Sequence, residues 1–284
     1  MSTKVSHQNL EYSSCPICCS SINKEAYGKF HPYKVVKCQS CSFYFLSPRL
    51  TESSMLDLYS DDTYFEGGSD GYSSYSEQKI ALCATFKKLM SNIDKHKLSG
   101  GRLLEVGCGY GYFLKEAAGK FETRVGTDFS AYAAQQASNY ADRVYHGGIE
   151  QVPSSEKFDL IVSTHVIEHV YHPRDFIDKL LQHLHPGSAI IIATPDMGSF
   201  WRYLMGHKWT SFKLPEHVLY FDSASLSSLM RQVGLQNIKR IPYPHAFPLP
   251  LVASKLGLEI PPSLNRLNLW IPATTLALYG RYYG

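Results

Sequence analysis

The stretch "LLEVGCGYGYFLKEA" at residues 103–117 decides the fold, because it joins an apolar run, a glycine-rich loop and an amphipathic segment. The apolar run predicts a buried strand, and the residues after the loop have the spacing of an amphipathic helix. Gly107 and Gly109 let the backbone turn sharply and approach a ligand at positions where a Cβ atom would clash. The stretch therefore predicts a strand, a ligand-binding loop and a helix in succession.

Three features bear on which ligand this loop binds, since its glycines superficially match a dinucleotide-binding loop. The third glycine, Gly111, comes one residue earlier than in the dinucleotide fingerprint. Glu105 lies within the first strand and presents an acceptor to the loop. Asp128 ends the second predicted strand, where a carboxylate can accept hydrogen bonds from both hydroxyls of a ribose. Together these features favour S-adenosylmethionine (SAM) as the ligand.

Beyond the loop, short β-branched runs alternate with helical stretches. The runs are "TRVGTD", "RVYHG", "FDLIVST", "SAIIIAT" and "QNIKRIPY". This alternation predicts βαβ units and a parallel sheet, which is an α/β fold. A last run, "TTLALYGRYY", has no helix after it.

Taken in order, five motifs resemble those of class I SAM-dependent methyltransferases. They are "LLEVGCGYG", "GTDFS", "GGIEQVP", "FDLIVSTHVIEHV" and "LQHLHPGSAIIIATP". The resemblance covers residues 100–284. It implies a Rossmann-like sheet of seven strands in the order 3-2-1-4-5-7-6, with the seventh strand antiparallel.

The same resemblance implies which residues contact SAM. The loop residues correspond to those that receive the methionine moiety, Asp128 to the ribose ligand and Phe129 to the residue flanking adenine. The full implied set is Glu105, Gly107, Cys108, Gly109, Asp128, Phe129, Gly148, Ile149, His165 and Val166. Gly148 stands where the family usually has an acidic residue, so we expect backbone or water to hold the adenine amine. Glu168 and His169, in "VIEHVYHP", match a signature whose residues often serve structure around the cofactor pocket.

Upstream, two cysteine pairs, Cys15–Cys18 and Cys38–Cys41, are separated by 19 residues. Each Cys-x-x-Cys pair can direct two thiolates at one metal, and two pairs complete a tetrahedron, as in a structural Zn²⁺ site. Two disulfides are the alternative, but they suit an oxidising compartment. Cys19 adjoins Cys18 and could replace it as a ligand. We predict a zinc-ribbon-like segment at residues 1–48.

The segment "FKLPEHVLYF", residues 212–221, places Glu216 beside His217 after the fifth predicted strand. It resembles the insertion of methyltransferases of glycan and natural-product biosynthesis. In sugar C-methyltransferases, which also carry a zinc-binding segment, a Glu-His pair here is associated with substrate deprotonation. Ligands of open α/β sheets bind at the carboxyl ends of the strands, so this insertion should face the methyl donor. We expect His217 to be the general base, with Glu216 as the second candidate.

Composition completes the domain prediction. Residues 49–76 are rich in Ser, Asp, Gly and Tyr and predict a connector or lid, and the resemblance places Tyr64 and Phe65 at the substrate, with a packing role as the alternative. Residues 77–284 are predicted to form the methyltransferase domain, with a substrate insertion at about 196–222.

No apolar run approaches the roughly 20 residues that span a bilayer, and the N-terminus lacks a secretory h-region, so a cytoplasmic location is expected.

Three functions remain open from the sequence. The first is a methyltransferase for a small molecule or glycan precursor. The second is an RNA methyltransferase that grips RNA with its ribbon, since residues 1–50 carry six basic and two acidic side chains while the whole chain has a net charge of +3. The third is a non-catalytic SAM-binding or zinc-scaffold protein. The oligomeric state is not encoded in any pattern that we find.

Overall fold

The computed structural model describes residues 9–59, 78–255, 257–259, 261–264 and 266–284. The predicted substrate contacts Tyr64 and Phe65 lie outside the described residues.

The described strands fall into one large sheet and three smaller ones. In chain order they are β1 (Leu10–Glu11), β2 (Asn23–Phe30), β3 (Tyr33–Cys38), β4 (Tyr44–Leu46), β5 (Arg49–Leu50), β6 (Arg102–Val106), β7 (Thr123–Asp128), β8 (Arg143–His146), β9 (Phe158–Thr164), β10 (Leu184–Pro195), β11 (Leu219–Tyr220), β12 (Gln236–Arg240), β13 (His245–Pro248), β14 (Asn268–Ile271) and β15 (Thr275–Arg281). The α-helices are α1 (Glu52–Tyr59), α2 (Lys79–Lys95), α3 (Tyr112–Glu116), α4 (Ala131–Ala137), α5 (Pro173–Leu181), α6 (Phe200–Met205), α7 (Ser223–Gln232) and α8 (Leu249–Lys255).

The large sheet has the strand order β12-β15-β10-β9-β6-β7-β8. Numbered from β6 as the first strand, this order is 3-2-1-4-5-7-6, and β15 runs antiparallel to β10. The Rossmann-like seven-stranded fold, including the antiparallel seventh strand, is therefore confirmed.

Both faces of this sheet are buried, as its near-continuous apolar strands predict. On β10, Ile190 and Ile192 belong to one apolar cluster, whereas Ile191 belongs to a second cluster on the other face. Buried residues of α5 and α7 pack in the first cluster and those of α2 and α3 pack in the second. Helices therefore cover both faces and leave the ends of the strands as the place for a ligand.

The predicted ribbon and the predicted insertion share a sheet. The ribbon strands β2, β3 and β4 are extended by β11, which pairs antiparallel with β4 through Leu219 opposite Phe45 and Tyr220 opposite Tyr44. Phe43 and Phe221 pack with their ring centroids 4.8 Å apart. The insertion then ends at Asp222, which caps α7 and accepts a hydrogen bond from the Ser225 amide.

A second insertion, at residues 241–274, lies between β12 and β15 and was not foreseen from the sequence. It contains the antiparallel hairpin of β13 and β14, together with α8. Two hydrogen bonds attach it to α2: the Ala246 amide donates to Thr85 Oγ1 at 2.9 Å, and Asn92 Nδ2 donates to the Pro242 carbonyl at 2.7 Å. Among the described residues, no helix has both the length and the apolar character that crossing a membrane requires.

Candidate active site

The glycine-rich loop leaves β6 at the carboxyl edge of the large sheet. Gly107, Gly109 and Gly111 have φ values of 76°, 51° and 74°, in the left-handed region that favours glycine. A Cβ atom on Gly107 would lie 2.3 Å from Cγ2 of Val166, which follows β9. The loop therefore passes directly beside the end of the fourth core strand, where the sequence placed His165 and Val166.

Asp128, at the end of β7, holds the loop in place. Its Oδ2 accepts a hydrogen bond from the Gly109 amide at 2.7 Å, and its Oδ1 accepts one from the Ser130 amide at 2.9 Å. Each carboxylate oxygen has a further lone pair, so the group can also accept bonds from two ribose hydroxyls. Burial raises the pKa of Asp128, and the two backbone amides oppose that rise.

Glu105 is a buried acceptor that lacks a full set of partners. It is 1% exposed, and its Oε2 atom has no hydrogen-bond partner. Burial, and then the nearby Asp128 carboxylate, raise its pKa well above the usual range. An orphaned buried carboxyl oxygen is costly, and a cationic or N–H group of a ligand at the loop would satisfy it. This orphaned oxygen, together with the glycine cradle, fits a bound SAM methionine moiety.

The predicted adenine side of the site is formed by Phe129, Gly148 and Ile149. The Phe129 ring is 61% exposed, and a Cβ atom on Gly148 would lie 3.0 Å from its Cζ. Position 148 has no carboxylate of its own, but Glu150 lies nearby. Its Oε1 accepts a hydrogen bond from the Gly148 amide at 2.9 Å. Sequence reasoning missed Glu150, although an acidic residue two positions beyond the glycine was a visible signal.

Four polar residues meet where β9 ends and the first insertion returns; we call them the Glu168 cluster, comprising His165, Glu168, His169 and His217. Glu168 is 1% exposed. Its Oε1 lies 3.2 Å from His165 Nδ1, and its Oε2 accepts a hydrogen bond from Thr194 Oγ1 at 3.0 Å. Burial alone would raise its pKa, but the hydrogen bond from His165, together with the charge that this ring carries when it is protonated, outweighs burial and lowers the pKa to about 2. The cluster thus contains a buried carboxylate anion.

The other two histidines of the cluster pack on each other. The rings of His169 and His217 are perpendicular, with centroids 4.7 Å apart, and one ligating atom of each lies within 4.8 Å of a Glu168 oxygen. Burial lowers the pKa of His169 to about 4 and that of His217 to about 3. Both rings are therefore neutral near pH 7.

Glu216 and His217, adjacent in sequence, face different surroundings. His217 is buried in the Glu168 cluster, and its Nδ1 lies 2.8 Å from the Ser211 carbonyl oxygen. Glu216 lies near Lys213 Nζ, at 3.8 Å, and its charge raises the pKa of Tyr33 in the ribbon, after the larger effect of burial. Of the two predicted bases, only His217 meets Glu168.

The second insertion also supplies side chains to this site. The rings of Tyr243 and His245 each have a centroid 6.0 Å from that of His165. Burial, followed by the charges of Glu105 and Glu168, raises the pKa of Tyr243. Neither residue was singled out from the sequence, because Tyr243 ends the predicted strand run "QNIKRIPY" and His245 lies in the Pro-rich segment after it. The strand β12 in fact ends at Arg240.

The four predicted metal ligands also come together. The sulfur atoms of Cys15, Cys18, Cys38 and Cys41 all lie within 4.8 Å of one another. The Cys15–Cys41 and Cys18–Cys38 Sγ–Sγ distances are both 3.5 Å, near the roughly 3.8 Å that a tetrahedron with Zn–S bonds of about 2.3 Å requires. Cys19 is exposed, has a φ of 61° and is not among the four. The donor set fits Zn²⁺, with Cys18 rather than Cys19 in the first pair.

Residues 75–240 match a protein family described as "Methyltransferase domain". This chain belongs to that family. The membership confirms the methyltransferase prediction at the level of the domain.

Curated relatives and solved structures agree with this assignment. The mitochondrial ubiquinone biosynthesis O-methyltransferase of Schizosaccharomyces pombe is 28% identical over 135 residues, which cover 44% of this chain and 47% of the relative. The ubiquinone biosynthesis O-methyltransferase of Bradyrhizobium is 25% identical over 158 residues, covering 49% and 62%. The chain spans about half the length of the curated relatives that it matches.

Among solved structures, magnesium protoporphyrin IX methyltransferase from Synechocystis with bound SAH has a TM-score of 0.53 and 12% identity, covering 81% of this chain and 99% of that one. A SAM-dependent methyltransferase from Thermotoga maritima has a TM-score of 0.52 and 20% identity, covering 72% and 91%. At these identities the similarity shows the fold alone.

Proposed function

We propose that this chain transfers the methyl group of SAM to a nucleophilic atom of a small molecule. The observation that carries the proposal is the meeting of two sites at one sheet edge. The loop that Asp128 anchors lies against Val166, and the Glu168 cluster begins one residue before Val166. A methyl donor held on the loop and a proton acceptor in the cluster would therefore be neighbours, which is what in-line transfer with deprotonation needs.

SAM would be held by the residues that the sequence nominated. Glu105, Gly107, Cys108 and Gly109 would receive its methionine moiety, and Asp128 its ribose. Phe129, Gly148 and Ile149 would border its adenine. SAM supplies an electrophilic methyl group on a sulfonium; the protein's part is to orient the acceptor, exclude water and move one proton.

For the proton acceptor, the sequence nominates His217 first and Glu216 second. His217 lies beside the Glu168 carboxylate, so an imidazolium formed there would be stabilised by a buried anion. Glu216 is 14% exposed at its side chain and has an oxygen, Oε2, without a partner.

For the acceptor, we propose a glycan precursor or natural product of the kind that the insertion "FKLPEHVLYF" resembles. A second candidate is an acceptor oxygen, because two of the curated relatives are ubiquinone biosynthesis O-methyltransferases. RNA is less well supported, since part of the positive charge of the N-terminal segment is paired. Lys34 Nζ lies 2.8 Å from Glu25, and Arg49 Nε lies 2.8 Å from Glu11.

The test is to incubate the full chain with methyl-labelled SAM and a panel of defined acceptors: sugar nucleotides, lipid-linked glycans, catechols and transfer RNA. We expect label in a small molecule and none in RNA. Label in RNA, with affinity that falls steeply with salt, would replace this proposal by the RNA methyltransferase. SAH binding without transfer to any member of the panel would favour the non-catalytic protein.

A further inference from the structure

His165 has the arrangement of an oriented catalytic histidine. Its Nδ1 lies 3.2 Å from Oε1 of the buried Glu168, whose other oxygen is held by Thr194. Its Nε2 is buried and has no hydrogen-bond partner. A carboxylate at one ring nitrogen fixes the tautomer with a proton on Nδ1, which leaves Nε2 as a bare acceptor. A bare buried acceptor is unfavourable unless a ligand donates to it.

His165 is also held in a fixed position at the carboxyl edge of the large sheet. It follows the last residue of β9 directly, and its φ of 57° is in the left-handed region that non-glycine residues rarely adopt. Its amide donates to the Ala193 carbonyl at 2.8 Å, which fixes the backbone at the sheet edge. The next residue, Val166, contacts the glycine-rich loop. The side chain is 34% exposed, so a ligand can contact the ring. Nε2 itself is buried, so its neighbours must move slightly for the acceptor to reach that atom.

The other histidines of the Glu168 cluster are less suited to the same role. His217 is 9% exposed and has its Nδ1 at the Ser211 carbonyl, and its ring packs edge-on against His169. Burial lowers the pKa values of His217 and His169 to about 3 and about 4, which makes both weak bases near pH 7.

We propose that His165, oriented by the Glu168 carboxylate, is the residue that takes the proton from the acceptor in the methyl transfer, and that His217 acts by positioning the insertion. The inference rests on the proposed function. Within the Glu168 cluster, it assigns the role of proton acceptor to one atom, His165 Nε2. His165 Nε2 receives the proton of the acceptor O–H, N–H or acidic C–H. Meanwhile the acceptor bonds to the methyl carbon and the carbon–sulfur bond breaks, its electron pair staying on sulfur. Glu168 balances the imidazolium charge until the proton leaves to water.

The experiment compares His165→Asn, Glu168→Gln and His217→Asn in the full chain with methyl-labelled SAM and the acceptor panel. A matched control is His185→Asn. His185 Nε2 lies 3.1 Å from Asp159 Oδ1, so these residues form a similar His–carboxylate pair. This pair joins β10 and β9 near their amino-terminal ends. We expect His165→Asn to lower kcat by about 100-fold or more, the usual contribution of a general base. The KM for the acceptor and the Kd for SAH should each change by less than about threefold. A structural defect would instead weaken binding as well as lower kcat.

Glu168→Gln should lower kcat by at least tenfold, and His217→Asn should retain more kcat than His165→Asn does. The inference is overturned if His165→Asn keeps more than half of the wild-type kcat, or if His217→Asn loses more than His165→Asn. Either result would leave the proposed function intact, because the wild type would still transfer methyl groups. Absence of transfer by the wild type would instead refute the proposed function.

A second measurement does not need an acceptor. ¹⁵N NMR of histidine-labelled protein with SAH bound should show the neutral ring of His165 protonated at Nδ1 and bare at Nε2, and Glu168→Gln should shift this signal more than His185→Asn does. A proton on Nε2, with Nδ1 bare, would overturn the inference independently of any activity.

Discussion

At the scale of single residues, the site depends on polar groups that are buried in a defined protonation state. Glu168 is ionised in the interior, whereas His169, His217 and His245 are held neutral. Each neutral histidine can accept a hydrogen bond or pack against a ring, and none adds a positive charge that would repel a sulfonium. The cost of this arrangement is sensitivity to acid.

The pH dependence of stability follows from those pKa values. Burial lowers the pKa of His169 from 6.5 to about 4 and those of His217 and His245 to about 3. At pH values between about 6.5 and these lowered pKa values, the unfolded chain binds more protons than the folded chain. The free energy of unfolding is therefore highest above pH 6.5 and falls as the pH is lowered, by up to about 1.4 kcal/mol per pH unit for each histidine. Urea unfolding at pH 7.5, 6.0 and 5.0 should show this loss.

Two variants make that measurement specific. His245→Gln should flatten the pH dependence, whereas His172→Gln should not, because the His172 side chain is 67% exposed. A free energy of unfolding that stays constant from pH 7.5 to 5.0 in the wild type would contradict the buried neutral histidines.

Residue-scale reasoning from the sequence placed residues of two successive motifs at one predicted ligand site. Gly107, Gly109 and Asp128 were predicted together, and the structure joins them through the Gly109 amide. It was less informative for His217, since adjacency to Glu216 says nothing about which neighbour each side chain meets. The partner that His217 meets, Glu168, lies 49 positions earlier in the chain, in a signature that does not indicate a contact with residue 217.

At the scale of elements, the ribbon braces the first insertion. Leu46 of β4 donates its amide to the Val218 carbonyl at 2.9 Å, and the Val218 amide donates to the Glu168 carbonyl at 2.9 Å. A continuous path of backbone hydrogen bonds thus runs from the ribbon to the Glu168 cluster. The metal that the four cysteines fit would secure the ribbon end of this path, because structural Zn²⁺ contributes directly to folding.

Loss of the metal site should therefore loosen the insertion. In Cys38→Ser, we expect bound zinc to fall and hydrogen exchange to accelerate about tenfold or more in β3, β4 and β11, while exchange in β6 stays slow. Cys19→Ser is the control, since Cys19 lies outside the four-cysteine cluster. Unchanged protection of residues 217–221 after zinc is lost would show that the ribbon does not brace the insertion.

This coupling could not be read from the sequence. The ribbon was predicted from its cysteine spacing, but β11 has only two residues, and its partner β4 lies about 175 positions earlier. A two-residue strand has no periodicity to detect. Only the tertiary packing, such as Phe43 against Phe221, identifies the pair.

At the scale of the whole molecule, strand order and strand direction were predictable, because the ordered motif series is specific to one topology. The second insertion was not predictable, although its Tyr243 and His245 lie beside His165. Its residues form a hairpin that is stabilised by α2 through Thr85 and Asn92, not by its own propensity. The fold therefore follows from the sequence, whereas the side of the site formed by the second insertion required the structure.

The central claim is that the glycine-rich loop and Asp128 bind SAM. It is tested most directly by calorimetric titration of SAH into the wild type, Asp128→Ala and the control Asp142→Ala. Asp142 also accepts a backbone amide at 2.7 Å, from Arg124, but lies on the surface. We predict one bound SAH per chain for the wild type and the control, and a Kd at least about tenfold higher for Asp128→Ala, about 1.4 kcal/mol of binding energy. No SAH binding by the wild type, or equal affinity in Asp128→Ala, would contradict the account.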